Sequence, residues 1–592
     1  MAQDPWPNLA SLFFEQAAKL GDRPFMWSKH DGQYRPQTWT EVADEVKAVS
    51  RGLRALGVKP GHRVMLVSEN RPNWVVADLA IMAAGAITVP AYTTNTEALH
   101  EHIITDSGAK VAIVSTAALA ARLLPAAKTT GAAHVVAMEP VEPHDGIDVM
   151  TWEALKERGE AEPDDVEEVA ATVERGHPAC FIYTSGTGGL PKGVILSHHA
   201  LLSNIRSIRI AFEPILSGTE IFLSFLPLSH SYEHTCGFLF PISIGAEIYY
   251  AEGADTLTNN MVEVSPTIMT CVPRLYEVMR QRILAGVARQ GGSKEKLFNK
   301  TLTLGLKKVD PEQSLGLGEK LTDMLMERLV REKVRQRFGG RLKAMVSGGA
   351  PLNPDVGKFF NALGVTLLQG YGQTESAPVV SCNPPGGVKM HTVGTALPEV
   401  EVKIADDGEI LVRGGLVMDG YWNNPETTAE TIQDGWLHTG DIGVIDADGY
   451  LQITDRKKDI IVNSGGDNLA PQRVEGILTL EPEIAQAMVV GDKRPHLVAL
   501  LVPDEAFIKD YAKAEGAKRD LAALADDKGL HAALRDAVDR ANQKLSQIEK
   551  VKRYMVAAEP FTVENNQMTP TLKVRRHVVK DIYGDRLEAL YG

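Results

Sequence analysis

Between Thr40 and Ser115 the apolar residues change their period repeatedly, and this limits the fold more than any other feature of the chain. Val42, Val46, Val49 and Leu53 recur at helical spacing within Thr40 to Leu56. A turn follows at Gly57 to Gly61, and His62 to Ser68 has strand character. The alternation continues with a helix over Trp74 to Ala84, then strands over Ala86 to Pro90 and Lys110 to Ser115. Strands that alternate with helices pack as parallel sheets covered by helices, because a crossover has to bring the chain back to start the next parallel strand. The predicted fold class is therefore α/β. At 592 residues the chain exceeds what one hydrophobic core organises, so several domains are expected.

A net charge of -14 argues against broad nucleic-acid binding, which needs a basic face, but leaves local anion sites open. The four cysteines, Cys180, Cys236, Cys271 and Cys382, form no C-x-x-C pair, so neither a disulfide framework nor a structural zinc site is expected. The first residues show no basic start followed by an apolar core, so no secretory signal is read there. The most apolar stretch, Trp74 to Tyr92, carries Asp78, Gly85 and Pro90; it reads as a buried helix running into a strand rather than a membrane span. A soluble cytoplasmic protein is expected, with peripheral contact at the inner membrane face left open.

Tyr183 to Gly193 (YTSGTGGLPKG) is the most informative motif. Glycines and small hydroxyl residues let backbone N–H groups approach an anion closely, and Lys192 adds a mobile positive charge. The apolar run Gly193 to Leu196 places the loop between ordered elements. It is not a Walker P-loop, since the G-x-x-x-x-G-K-[ST] spacing is absent.

The chain's character shifts three times. Glu139 to His177 is acidic and proline-bearing, as an exposed connection would be. Residues 277–338 read as a helical insertion, with helical periodicity over Tyr276 to Gln290 and Glu319 to Phe338 and a lysine-rich piece, Lys294 to Lys308, between them. This piece reads as a solvated basic face, with docking to a membrane surface left open. Near residue 455 a charged stretch, Asp455 to Val462, precedes the glycine turn Asn463 to Asn468 and a compact C-terminal unit of about 130 residues.

Taken together, the loop and several later motifs resemble the AMP-forming adenylate ligase superfamily, in order and over most of the chain. Ser347-Gly-Gly-Ala350 resembles the loop that lies against adenine, and Gln369 to Ser376 (QGYGQTES) resembles the family's Y-G-x-T-E motif. Thr439-Gly-Asp441 resembles the ribose-binding motif, and Asn566 to Arg576 (NQMTPTLKVRR) the segment carrying the active-site lysine. Thr270 to Tyr276, Ser347 to Leu352, the insertion and Gly491 to Pro495 are most similar to bacterial long-chain fatty acid–CoA ligases. The family usually has threonine where this chain has Gly188.

The resemblance implies a large N-terminal adenylation domain, 1–455, of parallel-type sheets covered by helices plus a β-barrel-like portion. A small mobile α+β domain, 456–592, would carry Lys573 and turn about Lys458. ATP would be held by Thr184, Ser185, Gly186, Thr187, Gly188, Gly189 and Lys192 at its phosphates. Gly348, Gly349, Ala350, Gln369, Gly370, Tyr371 and Gly372 would lie near the base, with Asp441 and Arg456 at the ribose and Thr374 and Glu375 at the α-phosphate. Lys573, Glu375, Thr187 and Lys192 would be catalytic, and Mg²⁺ would sit at Glu375 and Thr184. Gly465, Gly466 and Asp467 would face CoA.

His230 and His234 stand four residues apart, a spacing that could share a metal on a helix, though without the H-E-x-x-H order. Leu226 to His230 instead resembles the acyl-pocket motif, and a plain core histidine is the competing reading. The implied activity is conversion of a carboxylic acid, a long-chain fatty acid by the closer resemblance, to acyl-AMP and then acyl-CoA. The apolar runs Phe222 to Leu228 and Phe238 to Ile244 would line its tunnel. A ligase for aromatic or branched acids, an acyl-AMP ligase loading a carrier protein, and a non-catalytic nucleotide-binding regulator are the alternatives.

Overall fold

The computed structural model describes residues 5–592 except 133, 143–145, 185–189, 254, 458, 466, 516–519 and 570–572. The alternation near the N-terminus forms as read. Thr38 and Glu41 cap each other's backbone N–H groups and start helix Trp39–Ala55. Gly57 and Gly61 take positive φ in the turn that follows, and strand Arg63–Val67 comes next. Helix Pro72–Ala83 buries every residue but Asn73, and strand Ile87–Ala91 is buried throughout. Among the described residues, no helix is long and apolar enough to cross a membrane.

Two large sheets result. One has eight strands in the order Gly420–Tyr421, Lys192–Ser197, Pro178–Thr184, Ile87–Ala91, Arg63–Val67, Val111–Val114, His134–Ala137, Asp148–Thr151. From Pro178–Thr184 onward its neighbours run parallel. The other has nine strands, with six parallel ones at its centre and antiparallel strands at both edges.

Period-two alternation divides each strand between two cores. Val64 and Leu66 face a core shared with Phe222 and Ile268 of the other sheet, and helix Pro72–Ala83 lies within it. Met65 and Val67 face an outer core, and Leu223 and Met269 face another on the far side. Helices therefore fill the space between the sheets and cover both outer faces. The central helix has to be apolar all round because it has no solvent side.

The barrel-like portion is a five-stranded antiparallel sheet in which Trp436–Ile445 pairs with Glu409–Arg413, Ile432–Gln433 and Leu451–Arg456. Its pairing does not close on itself among the described residues. In the C-terminal part, strands Ile484–Val490, Leu497–Pro503 and Val551–Val556 form one sheet with an apolar core on each face. This unit touches the large one through Arg274, which donates to the Ala485 carbonyl at 2.9 Å, and Asn353, which donates to the Gly476 carbonyl at 2.9 Å.

The lysine-rich piece of the insertion is a helix, Gly292–Val309, that buries Phe298, Thr301 and Leu304. The insertion differs from its sequence reading in one place. The single helix expected over Glu319 to Phe338 is divided: helix Leu317–Met326, a π-helical turn Glu327–Arg331, then helix Glu332–Gln336. The wider turn shifts the register, which an apolar count at a 3.6-residue period does not register.

Helix Gly292–Val309 packs on helix Pro354–Ala362 at Gly305, where a β-carbon would come within 2.2 Å of the Ala362 carbonyl oxygen. Gly305→Ala should force the two helices apart, costing about 1–3 kcal/mol and several degrees of thermal midpoint. An unchanged midpoint in a thermal melt would contradict this packing.

Candidate active site

The carboxyl ends of parallel strands from both sheets open into one cavity of about 2150 Å³, the position where open α/β sheets collect ligands. Ala91, Thr184, Ser347 and Gln369 all line it. The glycine-rich loop joins antiparallel strands in which Thr184 lies directly opposite Lys192. Ser185, Gly186, Thr187, Gly188 and Gly189 lie outside the described residues. The Lys192 ammonium sits 5.4 Å from the centroid of the Tyr421 ring and 3.5 Å from Thr427 Oγ1. The Tyr421 hydroxyl donates to Glu375 Oε1 at 2.8 Å, so one aromatic side chain bridges the loop cation and the acidic residue. No motif in the sequence pointed to Tyr421; only the short strand Gly420–Tyr421 beside Lys192–Ser197 brings it there.

Strand Leu367–Gly372 carries Gln369, Gly370, Tyr371 and Gly372 into the cavity wall. At Gly372 a β-carbon would overlap the Pro378 carbonyl oxygen at 1.8 Å, so chain packing alone requires the glycine. The Tyr371 hydroxyl donates to Asp441 Oδ2 at 2.6 Å, and Arg456 Nε to Asp441 Oδ1 at 2.9 Å. Asp441 and Arg456 face one another across paired strands. Thr374 Oγ1 lies 3.0 Å from Ser231 Oγ, which fixes the turn that presents Glu375. Gly348, Gly349 and Ala350 follow strand Ala344–Ser347, and a β-carbon on Gly348 would press within 2.9 Å of the Tyr232 ring.

His230 and His234 do not share a site. His230 precedes the helical segment and lines the cavity, whereas His234 is buried in the core, with Nε2 3.0 Å from Asp78 Oδ2 and its ring edge-on to Trp74. His230 Nδ1 accepts the Tyr232 backbone N–H at 3.1 Å, so the neutral ring carries its proton on Nε2. Burial, and then the Lys573 charge, push the His230 pKa down to about 3.

Ile208, Phe212, Phe222, Cys236, Phe240 and Ile268 form an apolar arm of the cavity. Of the two predicted tunnel runs, Phe222 and Phe240 face it, while Phe238 packs on Trp74. Behind the arm lies Glu233, fully buried and bonded by Ser224 at 2.6 Å and Thr270 at 2.5 Å. Burial pushes its pKa up to about 7 against those two bonds. It sits on a π-helical segment, Glu233–Leu239, and Gly237 supplies the space its carboxyl occupies.

Lys573 reaches the cavity from the C-terminal unit and is partly buried there. Burial, and next the Arg456 charge, push its pKa down to about 8, opposed by Asp441 and Glu375. Its backbone N–H donates to Thr569 Oγ1 at 3.0 Å, and its carbonyl accepts the Thr569 N–H at 2.8 Å. The Pro570 to Leu572 lead-in lies outside the described residues, as do Lys458 and Gly466. Gly465 and Asp467 are exposed and do not line the cavity; Asn463 Oδ1 accepts both of their backbone N–H groups at 2.9 Å. Among the described residues, no cluster of three or more His, Cys, Asp or Glu side chains could cage a metal.

The AMP-binding enzyme profile matches residues 13–422, and that of the AMP-binding enzyme C-terminal domain matches residues 458–592. The chain belongs to the AMP-binding enzyme family. Among the relatives of this AMP-binding enzyme, the long-chain-fatty-acid–CoA ligase FadD15 of Mycobacterium tuberculosis is 34% identical over 593 residues, covering 99% of this chain and 97% of its own. Long chain acyl-CoA synthetase 6, peroxisomal, of Arabidopsis thaliana is 30% identical, over 95% of this chain and 82% of its own. The A domain of carboxylic acid reductase from Segniliparus rugosus, solved with AMP and a co-purified carboxylic acid, has the same fold: TM-score 0.80 at 22% identity, covering 100% of this chain and 95% of that one.

With Nδ1 occupied by a backbone donor, His230 of this AMP-binding enzyme should stay neutral across the physiological range. Imidazole NMR of histidine-labelled protein should show no protonation of His230 between pH 5 and pH 8. A midpoint near 6.5, the value of an unperturbed histidine, would contradict this neutral state.

Proposed function

We propose that the chain is an AMP-forming acid–thiol ligase that converts a carboxylic acid, in our reading a long-chain fatty acid, first to acyl-AMP and then to acyl-CoA. The observation that carries this reading is the meeting of Lys573 with Asp441, Arg456, Glu375 and His230 around one cavity, next to an apolar arm. ATP supplies the nucleotide, and CoA is the thiol co-substrate.

In the first half-reaction a carboxylate oxygen of the acid attacks the α-phosphorus of ATP. The bond from that phosphorus to the bridging oxygen breaks, and pyrophosphate leaves. The carboxylate is already ionised near neutral pH, so no general base is needed. His230 offers its Nε2–H to the acid. Asp441 takes the ribose hydroxyls on lone pairs that Tyr371 and Arg456 leave free, and Gly348 to Ala350 lie against the base. Thr184 to Gly189 hold the β- and γ-phosphates, with Lys192 at the pyrophosphate.

Glu375 has one carboxylate oxygen outside its bond to Tyr421 and, with the Thr184 hydroxyl, would supply oxygen donors to Mg²⁺, which would offset phosphate charge. Lys573 offsets charge at the reacting oxygens. A cation about 4 Å from a unit negative charge is worth roughly 4 kcal/mol at an effective dielectric of about 20, a rate factor of about a thousand if it is realised wholly in the transition state.

In the second half-reaction the CoA sulfur attacks the acyl carbonyl, the thiol proton passes to solvent, and AMP leaves. The unit 456–592 would turn about Lys458 against the domain 1–455, withdrawing Lys573 and presenting Gly465, Gly466 and Asp467 to the thiol. The placement of Lys573 at the cavity, with Gly465 and Asp467 outside it, supports this exchange. The aromatic and aliphatic lining of the arm supports a long apolar acid, and a panel of acids of increasing length measures it directly.

Two outcomes are expected. Lys573→Ala should abolish acid-dependent pyrophosphate release yet still form thioester from supplied acyl-AMP, whereas equal loss of both half-reactions would refute the assignment. Lys573 is cationic below its pKa, so kcat/KM for ATP should fall as pH rises through about 8. A profile that stays flat to pH 10 would contradict the role given to the charge.

A further inference from the structure

Helix Leu317–Met326 presents its sides the opposite way from an ordinary surface helix. Its acidic side faces the protein: Asp323 pairs with the buried Arg331 at 2.6 Å and Lys308 at 3.6 Å, and Glu319 with Lys307 at 2.6 Å. Arg331 also donates to the Ala362 carbonyl at 2.8 Å, which ties the helix to the body of the domain. The outward side is a row of Leu317, Leu321, Met324, Leu325 and Leu329, between 44% and 84% exposed. The spacing i, i+4, i+7 and i+8 of Leu317, Leu321, Met324 and Leu325 forms one stripe of the helix, Leu329 follows in the π-helical turn, and Leu306 of helix Gly292–Val309 is exposed as well. A helix with a free choice would bury that stripe; here the ion pairs hold its polar side in place.

The insertion that carries the row also exposes basic side chains. Lys296, Lys300, Lys308, Lys320 and Arg328 are exposed. Residues 277–338 hold 14 Lys and Arg against eight Asp and Glu, in a chain whose net charge is -14. We propose that this face docks on an anionic lipid bilayer, with the leucines entering the acyl boundary and the lysines lying among the phosphates. A second copy of the chain fits the same face less well, because two positive insertions would then meet.

Helix Pro273–Gln290 begins at the cavity, where Pro273, Arg274 and Glu277 line the wall, and leads into the insertion. Docking would therefore hold the cavity close to a membrane-borne acid. That advantage rests on the fatty-acid reading; the docking itself does not.

Sedimentation of the full chain with vesicles tests the proposal. The protein should bind vesicles of phosphatidylglycerol and phosphatidylcholine at low salt, bind pure phosphatidylcholine vesicles at least tenfold more weakly, and lose affinity as salt rises. Leu321→Ser with Leu325→Ser should lower vesicle affinity at least tenfold and leave pyrophosphate release with soluble octanoate unchanged. Lys296→Gln with Lys300→Gln should flatten the salt dependence. Failure of the parent to bind anionic vesicles, or equal binding by the leucine variant, would overturn the proposal. So would a dimer formed through this face without vesicle binding. A wrong fatty-acid reading would instead show as absent acid-dependent pyrophosphate, with vesicle binding intact.

Discussion

The carboxylate of Asp441 is 4% exposed, and the structure around it is arranged to keep its charge matched. One oxygen accepts the Tyr371 hydroxyl, from the nine-stranded sheet. The other accepts Arg456, from the neighbouring strand of the antiparallel sheet. The Lys573 ammonium, from the C-terminal unit, is within electrostatic reach. Two sheets that share one core and the separate C-terminal unit thus each bring a group to one anion. Removing water from the site strengthens each interaction and raises the cost of losing any partner.

The same balance sets the charge state of two basic groups nearby. Lys573 sits beside Arg456, and this repulsion, together with burial, brings its pKa down towards neutrality. His230 receives a backbone hydrogen bond on one nitrogen and faces Lys573, so it stays uncharged and presents a donor. An incoming nucleotide would bring negative charge into a cavity already biased towards positive charge by Arg456, Lys192 and Lys573. Glu375 supplies an opposing carboxylate there, held by Tyr421.

Much of this was legible in the chain. The alternating periods over Thr40 to Ser115 pointed to the parallel strands of the eight-stranded sheet, because side-chain direction follows backbone period with no help from distant residues. The motif order brought Asp441, Arg456, Glu375 and Lys573 into one reading, and the fold gathers their side chains around one cavity. Tyr421 and Glu233 were not legible. Tyr421 acts through a two-residue strand whose partner lies far away in sequence, and Glu233 depends on a π-helical register with Gly237 making room. The spacing of His234 from His230 left a shared metal open, but the helical segment begins only after His230, so the two rings go to different environments.

The two hydrogen bonds that join Arg274 and Asn353 to the C-terminal unit both end on main-chain carbonyl oxygens, those of Ala485 and Gly476. A side-chain replacement at either acceptor position leaves the carbonyl oxygen where it was. The burden of keeping these two contacts therefore falls on the donor side alone. A C-terminal unit with a diverged sequence but the same backbone could still seat at these points, so C-terminal halves exchanged between relatives would keep these anchors while bringing their own surfaces.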